Sequence, residues 1–317
     1  MLKRLDFWRV CFILNKGVDE FALLQANLGG GVARSVTLAP FTSFGIGGPA
    51  KYFFRAGDPG RLATAFYLAI TNKLNFFVLG GGSNILFSDE GYNGLVIKDE
   101  CREYVVSGDV VSAQSGALLN DLVDATMKDS LSGFEFAAGI PGTVGGAIYG
   151  NAGAFGKSIA DVLESAVIYG IDGRVKIVKN GYFEFGYRYS RLKDKPELIL
   201  SASFKLEAGE RSRIADKIKS YLELRKAKHP LTEGSAGSVF KNVKKPKLLS
   251  AGKLLENAGL KGLRIGGAEV FKKHCNIIVN TGSATAADVK KLARIMHDKV
   301  LEKYGVDLEY ELLVIEP

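Results

Sequence analysis

Three short segments carry side chains with an evident chemical use. Ala236-Gly-Ser-Val-Phe-Lys-Asn242 follows Pro230 and sets Ser238 behind a glycine, where its hydroxyl can turn toward a ligand. Lys241 and Asn242 add a cation and an amide nearby. A serine hydroxyl can donate a proton, but its own acidity is poor, so its surroundings must lower the cost of transfer. The plainer alternative is an ST turn that only stabilises the loop. Phe185-Gly-Tyr-Arg-Tyr-Ser190 places Arg188 among aromatic rings. Its guanidinium suits either a tyrosine face or a fork around a carboxylate. Glu311 stands in Leu308-Glu-Tyr-Glu-Leu-Leu313, where alternation puts Glu309 and Glu311 on one face and Leu308 and Leu312 on the other. A solubilising edge-strand role is open to both glutamates.

Two stretches of bare backbone accompany these side chains. Six glycines fall within the fifteen residues from Gly139 to Gly153, and Gly80-Gly-Gly-Ser-Asn84 ends the apolar run Phe76–Leu79. Clustered glycine weakens helix and strand alike, and its use is to let main chain approach a ligand or turn sharply. One such cluster reads as an ordinary turn. Two, each beside apolar segments, point to a large anionic ligand held by main-chain N–H groups, such as a nucleotide cofactor.

Other motifs lack their mechanism. Gly45-Ile-Gly-Gly-Pro-Ala50 matches G-x-G-x-x-A, but a proline-bearing loop precedes it and an aromatic strand follows, the reverse of a dinucleotide fingerprint. Asn151-Ala-Gly-Ala-Phe-Gly-Lys-Ser158 has asparagine where a P-loop needs its first glycine. His229, His274 and His297 have no metal-ligand spacing, so no metal is expected. Cys11, Cys101 and Cys275 are dispersed and odd in number, which fits reduced thiols in a cytoplasm.

The chain of 317 residues is expected to form two or three domains. No apolar run is long enough to span a bilayer, and charges at Lys3, Arg4, Asp6 and Arg9 interrupt any signal-peptide core. The net charge of +8 is uneven: residues 211–303 hold 21 Lys/Arg against 8 Asp/Glu. That surplus attracts polyanions. No nucleic-acid motif accompanies it, so a diphosphate-bearing small molecule or a merely solvated surface remains.

The elements that must position these groups follow from local signals. Residues 1–35 read as an extension. From 36 to 100, Asp58-Pro59 caps a helix between the aromatic stretch Tyr52–Phe54 and the strand Phe76–Leu79, and a strand at Leu95–Ile97 follows. From 101 to 209 the pattern gives strands at Tyr104–Val106, Val110–Ala113, Ser165–Tyr169, Val175–Val178 and Leu198–Leu206, with a helix over Ala117–Lys128. From 210 to 317 come helices over Arg211–Lys226 and Leu248–Ala258, a strand at Asn276–Asn280, a helix opened by the capping box Thr285-Ala-Ala-Asp288, and a last strand Leu308–Ile315 returning Glu311 to the site.

GGGSN at 80–84, GIPGTVGGAIYGNAGAFG at 139–156, GYRYS at 186–190, AGSVFKN at 236–242 and LEYE at 308–311 occur in one order and spacing. Together, over roughly residues 38 to 316, they closely resemble the bacterial UDP-N-acetylenolpyruvoylglucosamine reductases. The glycine segments alone also resemble the wider flavoprotein superfamily of vanillyl-alcohol oxidase; AGSVFKN narrows the resemblance. It implies an α+β fold, with two subdomains holding FAD and a C-terminal α+β domain closing over a UDP-sugar. In such an enzyme NADPH would reduce FAD, and the enolpyruvyl ether would become a lactyl ether, giving UDP-N-acetylmuramate for peptidoglycan. By this resemblance hydride would go from flavin N5 to C3, and Ser238 would give a proton to C2. Arg188 and Glu311 would flank the carboxylate. Gly80, Gly81, Gly82, Ser83 and Asn84 are expected to take the FAD pyrophosphate; Gly145, Gly146 and Asn151 are expected to lie along the flavin, and Gly47 to belong to the same cofactor set. Lys241, Asn242 and His274 are expected to face the substrate. A cytoplasmic monomer without nucleic-acid or membrane partners is expected.

A carboxylate beside a growing enolate would repel it, so Glu311 is expected to have a raised pKa. Val243 replaces a usual proline and Tyr310-Glu-Leu-Leu replaces a usual Pro-Glu-Val-Arg, which bears on loop geometry and a secondary cation. The short interval from Arg188 to Ser238 fits the shorter subtype. Two rivals remain. An alcohol or sugar oxidase on this scaffold would re-oxidise in O₂ without NADPH. A basic nucleotide-sugar or nucleic-acid binder would be colourless and salt-sensitive.

Overall fold

The computed structural model describes residues 19–243 and 249–317, and it has the expected α+β class. Cys11 and the start of the helix expected from Leu248 lie outside the described residues. Seven helices are described: α1 (Glu20–Leu28), α2 (Pro59–Thr71), α3 (Leu119–Lys128), α4 (Val144–Gly150), α5 (Arg211–Lys228), α6 (Ala251–Asn257) and α7 (Ala286–Tyr304). None of them is long and apolar enough to cross a membrane.

The first sheet runs in the order Val32–Thr37, Pro49–Ala56, Tyr92–Asp99, Phe76–Leu79; its first pair is antiparallel and the others parallel. Alternation sends neighbouring residues to different cores. Phe54, Leu95 and Ile97 pack with Leu62 and Phe66 of α2 and with Leu24 and Leu28 of α1. Phe53 and Val96 pack on the other face with Leu38, Leu79 and Phe87. Burial on both faces is why these strands read as continuous apolar runs. Asp58 caps α2 as its sequence indicates, accepting the Arg61 N–H at 2.9 Å. The expected extension over residues 1–35 differs from what is observed at its end. Residues 20–35 supply α1 and most of a paired strand, because Leu24, Leu28 and Val32 complete an apolar face that α2 alone leaves open.

The second sheet is wholly antiparallel, in the order Val175–Lys179, Leu163–Tyr169, Leu198–Lys205, Val110–Gln114, Tyr104–Ser107. Its core takes in α3, α4 and also Ile214 and Ile218 of α5. Chain order assigns α5 to the third unit; its buried stripe instead packs with Phe134, Leu206 and the second sheet. The third unit is a small sheet (Arg264–Ile265, Ala268–Val270, Ile278–Asn280) covered by α6 and α7, with Phe44, Ile46 and Leu86 of the first unit inside its core. Its last strand is shorter than expected. Only Leu313–Ile315 is strand, and it pairs in parallel with Ile85–Phe87 of the first unit.

Thr285 and Asp288 form the expected capping box at the start of α7. A second carboxylate arrives there from the first unit: Asp89 accepts the Ala286 N–H at 2.7 Å and the Ala287 N–H at 3.0 Å. Anions are favoured at such an end because the first N–H groups of a helix have no partner within it. Asp89→Ala should therefore cost about 1 kcal/mol of stability, read as a lower urea midpoint. Asp89→Asn should recover part of that loss, and an unchanged midpoint in both variants would show that this docking contributes nothing.

Candidate active site

The strand Phe76–Leu79 runs straight into Gly80, and three carbonyls of the loop that follows, those of Gly80, Gly82 and Asn84, are drawn into the protein. Gly80 O accepts from Lys98 Nζ at 2.7 Å, Gly82 O from Ser43 N at 3.1 Å, and Asn84 O from Leu313 N at 3.1 Å. Ser83 Oγ donates to Pro141 O at 2.8 Å. In a trans peptide the N–H points away from its carbonyl. The Gly81 and Ser83 N–H groups are thus turned away from Lys98 and Ser43, and the N–H groups of Gly81, Gly82, Ser83 and Asn84 donate to no group among the described residues. A row of unspent backbone donors is an anion site, and the diphosphate of a dinucleotide fits it.

Both glycine clusters meet here. A Cβ on Gly81 would lie 2.8 Å from Gly142 Cα, and one on Gly80 would lie 2.5 Å from Thr143 Oγ1. Neither position has room for a side chain. The run that should resist regular structure nevertheless contains α4, capped by Thr143 and anchored by Val144, Ala147 and Ile148 in the second core. Gly145 N donates to Ser115 O at 2.7 Å, and Gly146 N to Thr143 Oγ1 at 3.4 Å, so both N–H groups are used locally. Gly47 is a close-packing position: a Cβ there would sit 3.1 Å from Leu38 Cβ and 3.2 Å from Phe87 Cβ.

Asn151 ends α4 in the left-handed region, and its amide is spent on protein. Nδ2 donates to Gly186 O at 2.8 Å and Oδ1 accepts from Ala160 N at 3.1 Å. It thereby holds the tight turn Gly186–Tyr189, closed by hydrogen bonds of 3.0 and 3.2 Å. Arg188 sits in that turn at φ +55. A left-handed arginine costs about 1–3 kcal/mol, which the surrounding contacts must offset. Lys193 Nζ holds the Arg188 carbonyl at 2.9 Å, and Arg188 Nη1 donates to Gly153 O at 3.0 Å. Arg188 Nε lies 2.6 Å from Glu311 Oε1. The N–H direction is poor for a hydrogen bond there, so the contact is an ion pair.

Glu311 is held by its backbone from two sides. Its N–H donates to Val239 O at 2.8 Å, and its carbonyl accepts from Asn84 Nδ2 at 3.1 Å. Burial pushes its carboxyl above the usual range, against the opposing pull of Arg188, Lys193 and Lys241. Val239 is the residue after Ser238. Ser238 is half-buried, and its hydroxyl has no hydrogen-bond partner among the described residues. Ser43 ties this loop to the glycine loop: its N–H reaches Gly82 O, while its hydroxyl donates to Ser235 O at 2.7 Å. The fold thus brings Ser238, Glu311, Arg188 and the free N–H groups of residues 81–84 together.

The expected substrate contacts are more occupied. Lys241 pairs with Glu309 at 2.6 Å, and Asn242 Oδ1 accepts the Ala251 N–H at 3.0 Å. His274 lies behind the serine loop. Its Nδ1 accepts from Asn276 N at 3.3 Å, and its ring lies over His229 with centroids 5.8 Å apart. Burial lowers the pKa of both rings, that of His229 to about 4. Asn276, Lys193 and Ser43 are functional supports with no signature in the sequence. Asn276 is fully buried and grips the serine loop through Phe240 N at 3.0 Å and Phe240 O at 2.8 Å.

Comparison with known proteins agrees with this geometry. The family described as FAD binding domain matches residues 50–179, and that described as UDP-N-acetylenolpyruvoylglucosamine reductase, C-terminal domain, matches residues 229–315. Among curated proteins, UDP-N-acetylenolpyruvoylglucosamine reductase of Caldanaerobacter subterraneus subsp. tengcongensis is 42% identical over 275 residues, covering 86% of this chain and 90% of that protein. The same-named protein of Caldicellulosiruptor bescii is 40% identical over 301 residues, covering 93% and 94%. The crystal structure of UDP-N-acetylenolpyruvylglucosamine reductase from Thermus caldophilus superimposes with a TM-score of 0.77 at 35% identity, covering 89% of this chain and 98% of that one. The chain belongs to the UDP-N-acetylenolpyruvoylglucosamine reductase family, a family of FAD-binding oxidoreductases.

Proposed function

We propose that this protein reduces the enolpyruvyl ether of UDP-N-acetylglucosamine to UDP-N-acetylmuramate, with NADPH as reductant, as a cytoplasmic monomer serving peptidoglycan synthesis. The observation that carries the reading is the meeting of Ser238, Glu311 and Arg188 beside four unused N–H groups. Bound FAD would be held on Gly81–Asn84 and would relay a hydride from NADPH to C3 of the ether. The chain's own residues manage the charge and the proton that this leaves behind. Addition at C3 puts negative charge on C2, spread into the neighbouring carboxylate as an enolate. Arg188 Nη2 has no partner among the described residues and is available to that carboxylate. Fixed cationic donors of this kind stabilise developing charge without reorganising, and loss of one such donor typically costs about 3–4 kcal/mol. Ser238 supplies the proton to C2 from a loop that Asn276 holds through Val239 and Phe240.

Glu311 then acts as a neutral partner. In the free enzyme it holds Arg188 as an ion pair. A substrate carboxylate at Arg188 adds negative charge and lifts the Glu311 pKa further above its already raised value. Protonated Glu311 no longer repels the enolate and can donate a hydrogen bond. The cations Lys193 and Arg225 also suit a substrate with a diphosphate: the buried Arg225 Nε has no hydrogen-bond partner among the described residues.

Anaerobic spectra test the activity. NADPH should bleach the flavin, and UDP-N-acetylglucosamine enolpyruvate should restore its colour; recovery only with O₂ would favour an oxidase. In Ser238→Ala, bleaching by NADPH should persist while the second step slows by about 10²–10⁴-fold. Slowing of both steps alike would remove Ser238 from its role. The sign for Glu311 follows from a neutral form being the active one: wild-type kcat should fall as pH rises through its raised pKa. Glu311→Gln cannot ionise, so this alkaline limb should vanish; coincident profiles would refute the assignment.

A further inference from the structure

Lys98 is a buried lysine that the chemistry above does not use. It stands in the strand Tyr92–Asp99, beside Leu79 of the parallel neighbour, and only 9% of it is exposed. Its ammonium has carbonyl partners alone: Gly80 O at 2.7 Å and Asp99 O at 3.3 Å. The neighbouring carboxylates are engaged elsewhere. Asp99 alternates to the opposite face and accepts the Cys101 N–H at 3.0 Å, while Glu100 pairs with Arg55 at 3.1 Å. Burial holds the Lys98 ammonium below the usual lysine range. Glu100 and Asp99 oppose that effect, but a buried ammonium hydrogen-bonded to carbonyls alone still costs the fold, and an apolar side chain of similar size generally serves stability better.

The Gly80–Gly81 peptide explains what the charge can act on. Its carbonyl points at Lys98, so its N–H points the opposite way, into the row of free donors formed by residues 81–84. The ammonium therefore fixes the orientation of the first donor. It also lies one peptide group behind the place where an anion would sit, inside a low-dielectric strand layer where its field is weakly screened.

We propose that Lys98 is a buried counter-charge for the diphosphate of the dinucleotide cofactor on the Gly81–Asn84 loop. The proposal rests on the reading that this loop holds FAD. Its signature is a pair of opposed effects: the lysine strengthens cofactor binding and weakens the cofactor-free fold.

Flavin-free protein tests both. FAD affinity is measured by fluorescence titration and stability by urea unfolding, for wild type, Lys98→Met and Lys98→Gln. Met removes charge and hydrogen bond, whereas Gln keeps a donor without the charge. Both variants should raise the Kd for FAD by roughly 10- to 30-fold, the size expected of one charge acting through protein interior. The urea midpoint of the flavin-free variants should equal or exceed that of wild type. Unchanged FAD affinity in both variants would overturn the proposal. So would weaker FAD binding accompanied by a lower urea midpoint in both, which would make Lys98 a structural residue of the loop. Wild-type protein that takes up no FAD would instead refute the cofactor reading itself.

Discussion

The site depends on one seam. Leu313–Ile315 pairs in parallel with Ile85–Phe87, and Asn84 closes the end of that pairing by accepting from Leu313 N and donating to Glu311 O. Asn84 is the last residue of the glycine loop; Glu311 is the carboxylate that meets Arg188. The glycine loop and the carboxylate paired with Arg188 are thus two ends of one hydrogen-bonded ladder, and neither can shift without the other. The remaining supports hang from this seam. Val239 holds the Glu311 N–H, Asn276 holds Val239 and Phe240, and Ser43 links Gly82 to Ser235.

The energetic character of the site follows from that rigidity. Arg188 is kept in a left-handed turn, Lys193 lies half-buried behind it, and Glu311 is half-buried against both. Each arrangement costs stability when taken singly. Together they set the cations Arg188, Lys193 and Lys241 around one carboxyl whose pKa burial raises. Such a site favours a substrate that brings its own negative charge, and favours it more as that charge grows during reaction.

Much of this was legible where the physics is local. Asp58-Pro59 and Thr285–Asp288 announce helix starts because a cap needs only its own neighbours. Phe76–Leu79 ending in glycines announces a strand followed by an anion loop. What escaped is tertiary. Periodicity shows that α5 buries Ile214 and Ile218 but cannot say against what, and the partner proved to be the second core. The glycine count argues against α4, yet packing of Val144 and Ile148 overrides propensity. The motif places Asn84 and Asn151 near a cofactor. That their amides also position Glu311 and the Arg188 turn depends on atoms far along the chain.

The Asn84–Glu311 bond spans 227 residues. Closing so long a loop is entropically among the costlier steps open to this chain, and contacts of wide sequence separation slow folding. The Gly80–Lys98 contact, 18 residues apart, closes a far shorter loop. Nucleation can therefore orient the Gly80–Gly81 peptide before Asn84 meets Glu311. The two ends of the seam are then set at different moments in the maturation of one polypeptide.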